Sequence, residues 1–340
     1  MDSFLEEAKT VEMLDSAAYY FPLEKGRYQV EPGLIAFGTA LGNKQADEQV
    51  FQIDGNFAHY RQMKLLARRE RFNKYYQTCN YSQRVAGVIA RWIVQRLTLE
   101  HPENFHTEIL PNNEVLFHCC LTEETLYLDA EWQFKQVQNN KNPVVPAYTD
   151  SLDALAAQIQ EDLVVVCRGG DGSNWVSAIH LCYPNHWAAE EKIGKDFAIV
   201  HAPVAGMEKI NQRGRAIVNT MIDREPRIRF AWGLSTDTRL NHHPEPPPHV
   251  AINQWRGREF DPQNSSIYLR IERQVIWGFT EYKAAVFTIR TYFRDCTAIK
   301  QDSALRHKLY CAIASMTPES LSYKGLAKSK DSILAWLQDA

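Results

Sequence analysis

Between Pro184 and Val204 the chain reads PNHWAAEEKIGKDFAIVHAPV, which sets one imidazole, His201, among apolar Phe197, Ile199, Val200 and Val204. A histidine shielded from water stays neutral, and a neutral imidazole nitrogen is a good ligand for iron and other transition metals. The same setting suits a buried histidine that only hydrogen-bonds a backbone carbonyl, so residue type alone leaves both readings open. His180, within an expected strand, and His186, in an Asn-His-Trp turn, are its rivals. Trp187 and Trp232 offer aromatic faces that attract an alkylammonium cation or simply fill a core. In SIYLRIERQ (Ser266 to Gln274) strand alternation places Arg270 and Glu272 on one face and Ile271 and Arg273 on the other. Arg229, Arg273 and Arg290 can each grip a carboxylate through two parallel hydrogen bonds, with Glu272 fixing one of them, or the set can form a strand-face ion-pair network.

Elements able to position these groups follow from periodicity. Residues 1 to about 50 carry turn formers such as Glu31-Pro32-Gly33 and read as a wrap around a later core. Phe57 to Tyr76 reads helical, with six basic residues (Arg61, Lys64, Arg68, Arg69, Arg71, Lys74) against Glu70, either a solvated face or a docking surface for an acidic redox partner. Val85, Val88, Ile89, Trp92 and Ile93 mark an amphipathic helix behind a Ser82 cap. Val115, Phe117 and Cys119 alternate before Leu126-Tyr127-Leu128, which gives a hairpin, and 136–148 reads as a linker. Strands are expected at 163–166, 174–184, 266–277 and 284–293, a proline-rich loop at 241–249, and helices to the C-terminus. Sheet in the middle with helices at both ends, and no regular βαβ alternation, is α+β with an antiparallel sheet. The segment holding His201 reads as loop, short helix, then strand.

Composition excludes several classes of function. A net charge of −3 lacks the basic signature of a dedicated nucleic-acid binder. The acidic opening MDSFLEEAKTVEMLD is unlike a signal peptide and no apolar run is long enough to span a membrane, so a soluble cytoplasmic protein with no membrane partner is expected. Seven cysteines with no C-x-x-C disfavour a disulfide framework, a zinc ribbon, an iron–sulfur cluster and covalent haem attachment. Gly169-Gly170-Asp171-Gly172 lacks the spacing of a dinucleotide-binding loop and reads as a hairpin turn.

The Pro184 to Val204 stretch, Glu161-Asp162 before it and LRIERQ after it together resemble the alpha-like subunit of the haem-dependent oxidative N-demethylase family, of the dimethylamine monooxygenase-like kind. YYFPLEKGRYQVEPGL, FQIDGNFAHYRQMK, FTIRTYF and SYKGLAKSKDSILAWL extend the likeness over most of residues 19 to 337. RIRFAW (Arg227 to Trp232) resembles the family's R-x-N-W strand, with Ala231 where asparagine is usual. The resemblance implies one domain over 1–340 with a PAS-like core at about 150–295 and a non-covalent haem b. It implies His201 as axial ligand, Gly194 as a tight turn beside the cofactor, and Arg229, Arg273 or Arg290 at the propionates. Trp187, Trp232 and Glu272 would face the substrate, a small secondary amine that dioxygen demethylates with release of formaldehyde. Electrons would come from a separate flavin and iron–sulfur reductase. A haem- or small-ligand-binding PAS-type sensor without turnover is the alternative, and a structural protein with an empty pocket a third.

Overall fold

Two antiparallel sheets form the middle of this structure, with helices before, between and after their strands. The computed structural model describes residues 17–139, 143–257, 259–263 and 266–339, so the acidic opening stretch lies almost wholly outside the described residues. In chain order the elements up to the central sheet are β1 (Ile35–Ala36), α1 (Phe57–Tyr75), β2 (Tyr76–Thr78), α2 (Gln83–Glu100), β3 (Phe105–Ile109), β4 (Val115–Cys119), β5 (Glu124–Leu128), β6 (Phe134–Asn139) and α3 (Ser151–Ala156). Then come β7 (Asp162–Arg168), β8 (Asn174–His180), α4 (Phe197–His201), α5 (Glu208–Asn211), α6 (Gly214–Asp223), β9 (Arg227–Ser235) and α7 (Ile252–Arg256). Strands β10 (Tyr268–Phe279) and β11 (Ala284–Asp295) precede the closing helices α8 (Cys296–Gln301), α9 (Ser303–Ala314), α10 (Pro318–Tyr323) and α11 (Lys330–Gln338).

Seven strands form one sheet in the order β1-β9-β10-β11-β7-β8-β2, and β3 to β6 form a second sheet as a meander. The expected α+β class holds, with antiparallel sheets and helices on either side. Among the described residues no helix is long and apolar enough to cross a membrane.

The two faces of the large sheet are covered differently. One carries Val165, Ile228, Val275 and Val286 against α2 and the meander, and Leu269, Ile271 and Tyr292 against Tyr20, Leu23 and the C-terminal helices. The other carries Ile276, Ala285 and Phe287 against Val218, Met221 and Ile222 of α6, and Val164, Val176 and Ile179 against Trp187, Ile193 and Val200. This second face, under the short helices between β8 and β9, holds the candidate site.

Several local expectations are met for the physical reason given. Ser82 caps α2 by accepting from the Val85 amide at 3.3 Å. Cys119 is buried and Cys120 exposed, as neighbours on a strand must be. Gly169 donates to the Ser173 carbonyl across the β7–β8 turn. One expectation is corrected, since the linker placed at 136–148 begins inside β6, which pairs with β5 through Leu126 opposite Val137 and Leu128 opposite Phe134. An edge strand needs only one buried side, so its polar residues read like a loop; residues 140–142 lie outside the described residues.

Candidate functional site

The segment around His201 is a turn and a helix, not the expected helix and strand. Gly194 takes φ +72°, and the turn is clamped to β8 by Gly194 donating to the Val176 carbonyl and Val176 to the Lys195 carbonyl, each at 2.9 Å. Asp196 then caps α4, its carboxylate accepting from the Ile199 amide at 2.9 Å. That cap turns the run Phe197–Val200, which ends in β-branched Ile199 and Val200, into helix. It also leaves Ile199 54% exposed, so this residue does not shield His201 as expected.

Residues i and i+4 of a helix meet, and His201 accordingly lies over the Phe197 ring at 4.1 Å. Its Nδ1 is 2.8 Å from the Phe197 carbonyl oxygen. A carbonyl only accepts, so Nδ1 carries the proton and Nε2 keeps its lone pair. This arrangement, one ring nitrogen tied to the backbone and the other bare, is how proteins orient a metal-ligating imidazole. Burial pushes the His201 pKa down to about 4, assisted by the positive charges of Arg229 and Lys192 and opposed by the bond to Phe197.

Register places the floor beneath it. Gln274 lies opposite Arg229 and Glu272 opposite Ala231 on β9, while Glu272 also lies opposite Thr291 on β11. Directly paired residues share a sheet face, and this one is the face under α4 and α6. Gln274 donates from Nε2 to Glu272 Oε2 at 2.9 Å. Buried and without hydrogen-bond partners on the same face are Arg229 Nε, Gln274 Oε1, Thr291 Oγ1 and Arg270 Nε. Burial lowers the pKa of Arg229, and the Glu272 carboxylate only partly compensates. Orphaned polar atoms in such a row mark a place built for a polar occupant, because leaving each unmade costs about 1–3 kcal/mol.

Arg270 closes one end of this floor. Its guanidinium donates to the Leu240 carbonyl at 3.0 Å and the Tyr183 carbonyl at 2.7 Å, and Nη1 lies 3.3 Å from His242 Nδ1. His242 Nε2 lies 2.9 Å from Asp237 Oδ1, so the ring donates to the carboxylate and accepts from the arginine. Burial holds the His242 pKa at about 4, against the pull of Asp237.

The other expected site residues divide between the faces. Trp187 packs beside Val200 on the His201 side. Arg273, Arg290 and Trp232 belong to the opposite face, as their pairings with Phe230, with each other and with Ile271 require. Arg273 donates to the Gln49 carbonyl at 2.8 Å, Arg290 bonds Asp54 at 2.6 Å, and Trp232 packs edge-on to Tyr28. The alternation inferred for Arg270, Glu272, Ile271 and Arg273 holds, but its consequence reverses: Arg229, not Arg273 or Arg290, is the arginine on the face of His201. Among the rival histidines, His180 is buried on the opposite face, 3.6 Å from Asp153. His186, at φ +61°, stacks on His242 at 5.3 Å.

Asp162, His180 and Cys182 approach closely enough to hold a metal ion. Their chemistry argues against it: both Asp162 oxygens accept backbone amides, those of Cys182 and Tyr183, at 2.8 Å. Burial, followed by the charge of Asp162, drives the Cys182 thiol far up its range, and Lys64 lies buried alongside.

The docking surface read from the basic helix is overturned. Arg61 is paired with Glu124, Arg68 with Asp153, Arg71 with Glu245 and Lys74 with Glu70, while Lys64 donates to the Ala156 and Glu161 carbonyls. Lys74 and Glu70 pair within the helix, while Arg61, Lys64, Arg68 and Arg71 hold it to the rest of the chain, joined by Lys74 donating to the Glu245 carbonyl at 3.0 Å. Gln274 and Thr291 were missed. The i, i+2 spacing of Glu272 and Gln274 was the available signal, since alternation puts them on one face.

One buried imidazole, His242, and one half-buried and desolvated, His201, give a pH dependence with a definite sign. In the unfolded chain His201 and His242 protonate near 6.5, but in the fold only near 4, so between these values the unfolded state binds more protons. Their contribution to stability is complete above about pH 6.5 and is lost as pH falls toward 4. The urea midpoint is therefore expected to be lower at about pH 4.5 than at pH 7.5. An equal or higher midpoint in acid would show that the rings are not held neutral.

No curated protein matches the chain. The family model described as haem-dependent oxidative N-demethylase, alpha subunit-like, matches residues 42–334, a span that takes in α1, every strand except β1, His201 and the whole floor beneath it. The chain belongs to the haem-dependent oxidative N-demethylase, alpha subunit-like family.

Proposed function

We propose that this chain holds a non-covalent haem b between α4 and the floor of β9, β10 and β11, and uses it to demethylate a small secondary amine. The observation that carries the reading is the pair formed by His201, with Nδ1 tied to Phe197 and Nε2 bare, and Arg229, a desolvated guanidinium with no hydrogen bond to the chain among the described residues. His201 would hold the iron through Nε2, and Arg229 would hold a propionate carboxylate. A PAS-like description of the core is supported by the chain path: the pair β7–β8, a run of short helices, then the meander β9–β10–β11, whose last strand returns to β7.

Haem, when bound, supplies dioxygen activation. The protein's part is to seat the amine. Glu272 presents a carboxylate to the ammonium, and Trp187 offers an aromatic face for its methyl groups. One oxygen atom enters a methyl C–H bond and the other leaves as water, consuming two electrons and two protons. The resulting N-hydroxymethyl amine separates into formaldehyde and the primary amine. Among the described residues the seven cysteines are dispersed and the sequence carries no nucleotide-binding loop, so a separate flavin and iron–sulfur reductase is the electron source in this proposal.

The test is formaldehyde release from haem-loaded protein given dimethylammonium, dioxygen, a reduced nicotinamide and a flavin/iron–sulfur reductase. Release in step with oxygen consumption is expected. A haem spectrum with no formaldehyde under reducing turnover would favour the sensor reading.

A further inference from the structure

We infer that Gln274 is a specificity residue that selects secondary over tertiary amines by accepting a second N–H from the substrate; this rests on the amine reading above. A protonated secondary amine carries two N–H donors, and a tertiary one carries a single donor. The floor offers two acceptors side by side. Glu272 and Gln274 alternate onto one face of β10, and the Gln274 side chain is anchored by Nε2 donating to Glu272 Oε2 at 2.9 Å.

That bond fixes the amide. The NH2 end of Gln274 faces Glu272 as donor, so Oε1 turns away from it. Gln274 is 7% exposed, and Oε1 is buried without a partner. Arg229 stands directly opposite across the strands, yet its orphaned Nε does not reach this oxygen. An acceptor left open between a carboxylate and a cation is matched by a donor that comes with the ligand. Glu272 takes one N–H of the ammonium through its carboxylate, and Gln274 Oε1 takes the other.

Ala231 makes room for this arrangement. It lies opposite Glu272 with only a methyl group, and Gly233 follows two residues on, opposite Arg270. A larger polar side chain at 231 would compete for the Glu272 carboxylate. Removing an acceptor that a bound N–H depends on leaves that N–H unpaired in a dry site, which is a strong basis for discrimination.

The experiment is calorimetric titration of haem-loaded wild type and Gln274→Met with dimethylammonium and trimethylammonium, with the Soret band and thermal melt confirming that both proteins are folded and loaded. Wild type is expected to prefer dimethylammonium by about tenfold or more, and Gln274→Met to lose most of that preference by weakening the secondary amine selectively. Equal weakening of both amines would mean that Gln274 only positions Glu272, and would overturn the proposal. Wild type binding trimethylammonium as tightly as dimethylammonium would overturn it without recourse to any variant. Wild type binding haem but neither amine would instead sink the amine reading, a failure visible before the variant is made.

Discussion

His201→Ala is expected to abolish the Soret band of haem-loaded protein while the chain still melts cooperatively. The side chain makes one hydrogen bond, to Phe197, within its own helix, so its loss should cost no more than about 1 kcal/mol of stability. Iron would lose the neutral nitrogen that the Nδ1 bond orients. His201→Gly should recover a haem spectrum when imidazole is added, because the freed space would admit the ring. The measurement is haem titration of the apoprotein followed by absorbance. An unchanged band in His201→Ala would move the ligand to His186, which lies near the Arg270 end of the same site, since His180 is turned to the other face against Asp153.

Arg68→Ala is expected to cost about 3–5 kcal/mol, the range for removing one partner of a buried ion pair. Arg68 is 5% exposed and grips Asp153 with two bonds, at 2.5 and 2.9 Å. It also donates to the Pro146 and Ala147 carbonyls at 2.5 Å each. Asp153 would remain at 0% exposure without its ion-pair partner, keeping only hydrogen bonds from Thr149 and His180. Burial works against ionisation of Asp153, but hydrogen bonds from His180 and Arg68 outweigh it and hold its pKa low. Arg69→Glu, one residue along but exposed, should change stability by no more than about 0.5 kcal/mol. Urea denaturation of the two variants checks the contrast, and similar midpoints would show that the Arg68 pair contributes little.

The legible parts of this chain were those in which period and function agree. Successive side chains of any strand point to opposite faces, so once 266–277 was read as a strand the opposite facing of Arg270 and Arg273 was correct before any coordinates. What alternation cannot say is which face belongs to the site, because that depends on where α4 and α6 cross over. Arg273 and Arg290 were accordingly candidates on the same footing as Arg229. The helix at 57–75 shows a second limit: a basic side chain reads as solvated unless its acid is visible, and Glu124, Asp153 and Glu245 arrive from distant segments. At Phe197–His201 the β-branched residues suggested strand, whereas the Asp196 cap and a clamped turn decided for helix.

The five residues of α4 have a consequence for the order in which the molecule is completed. A helix this short has no standing of its own in water, and it is retained by the Asp196 cap, the Gly194 turn, the Phe197 amide donating to Asn174 Oδ1 at 2.9 Å, Lys192 donating to the Val200 carbonyl at 2.7 Å, and packing with Val164 and Ile179. The sheet beneath it is tied by continuous ladders into seven strands. His201, the proposed iron ligand, thus rides on a short helix outside the sheet, while Arg229, Glu272 and Gln274 sit within its paired strands. Hydrogen exchange in the apoprotein should therefore be fastest in the amides of 197–201 and slowest in β10 and β11, with cofactor loading protecting the first group and leaving the second unchanged. On the haem reading proposed above, such a division would let the cofactor enter by displacing α4 after the sheet has folded.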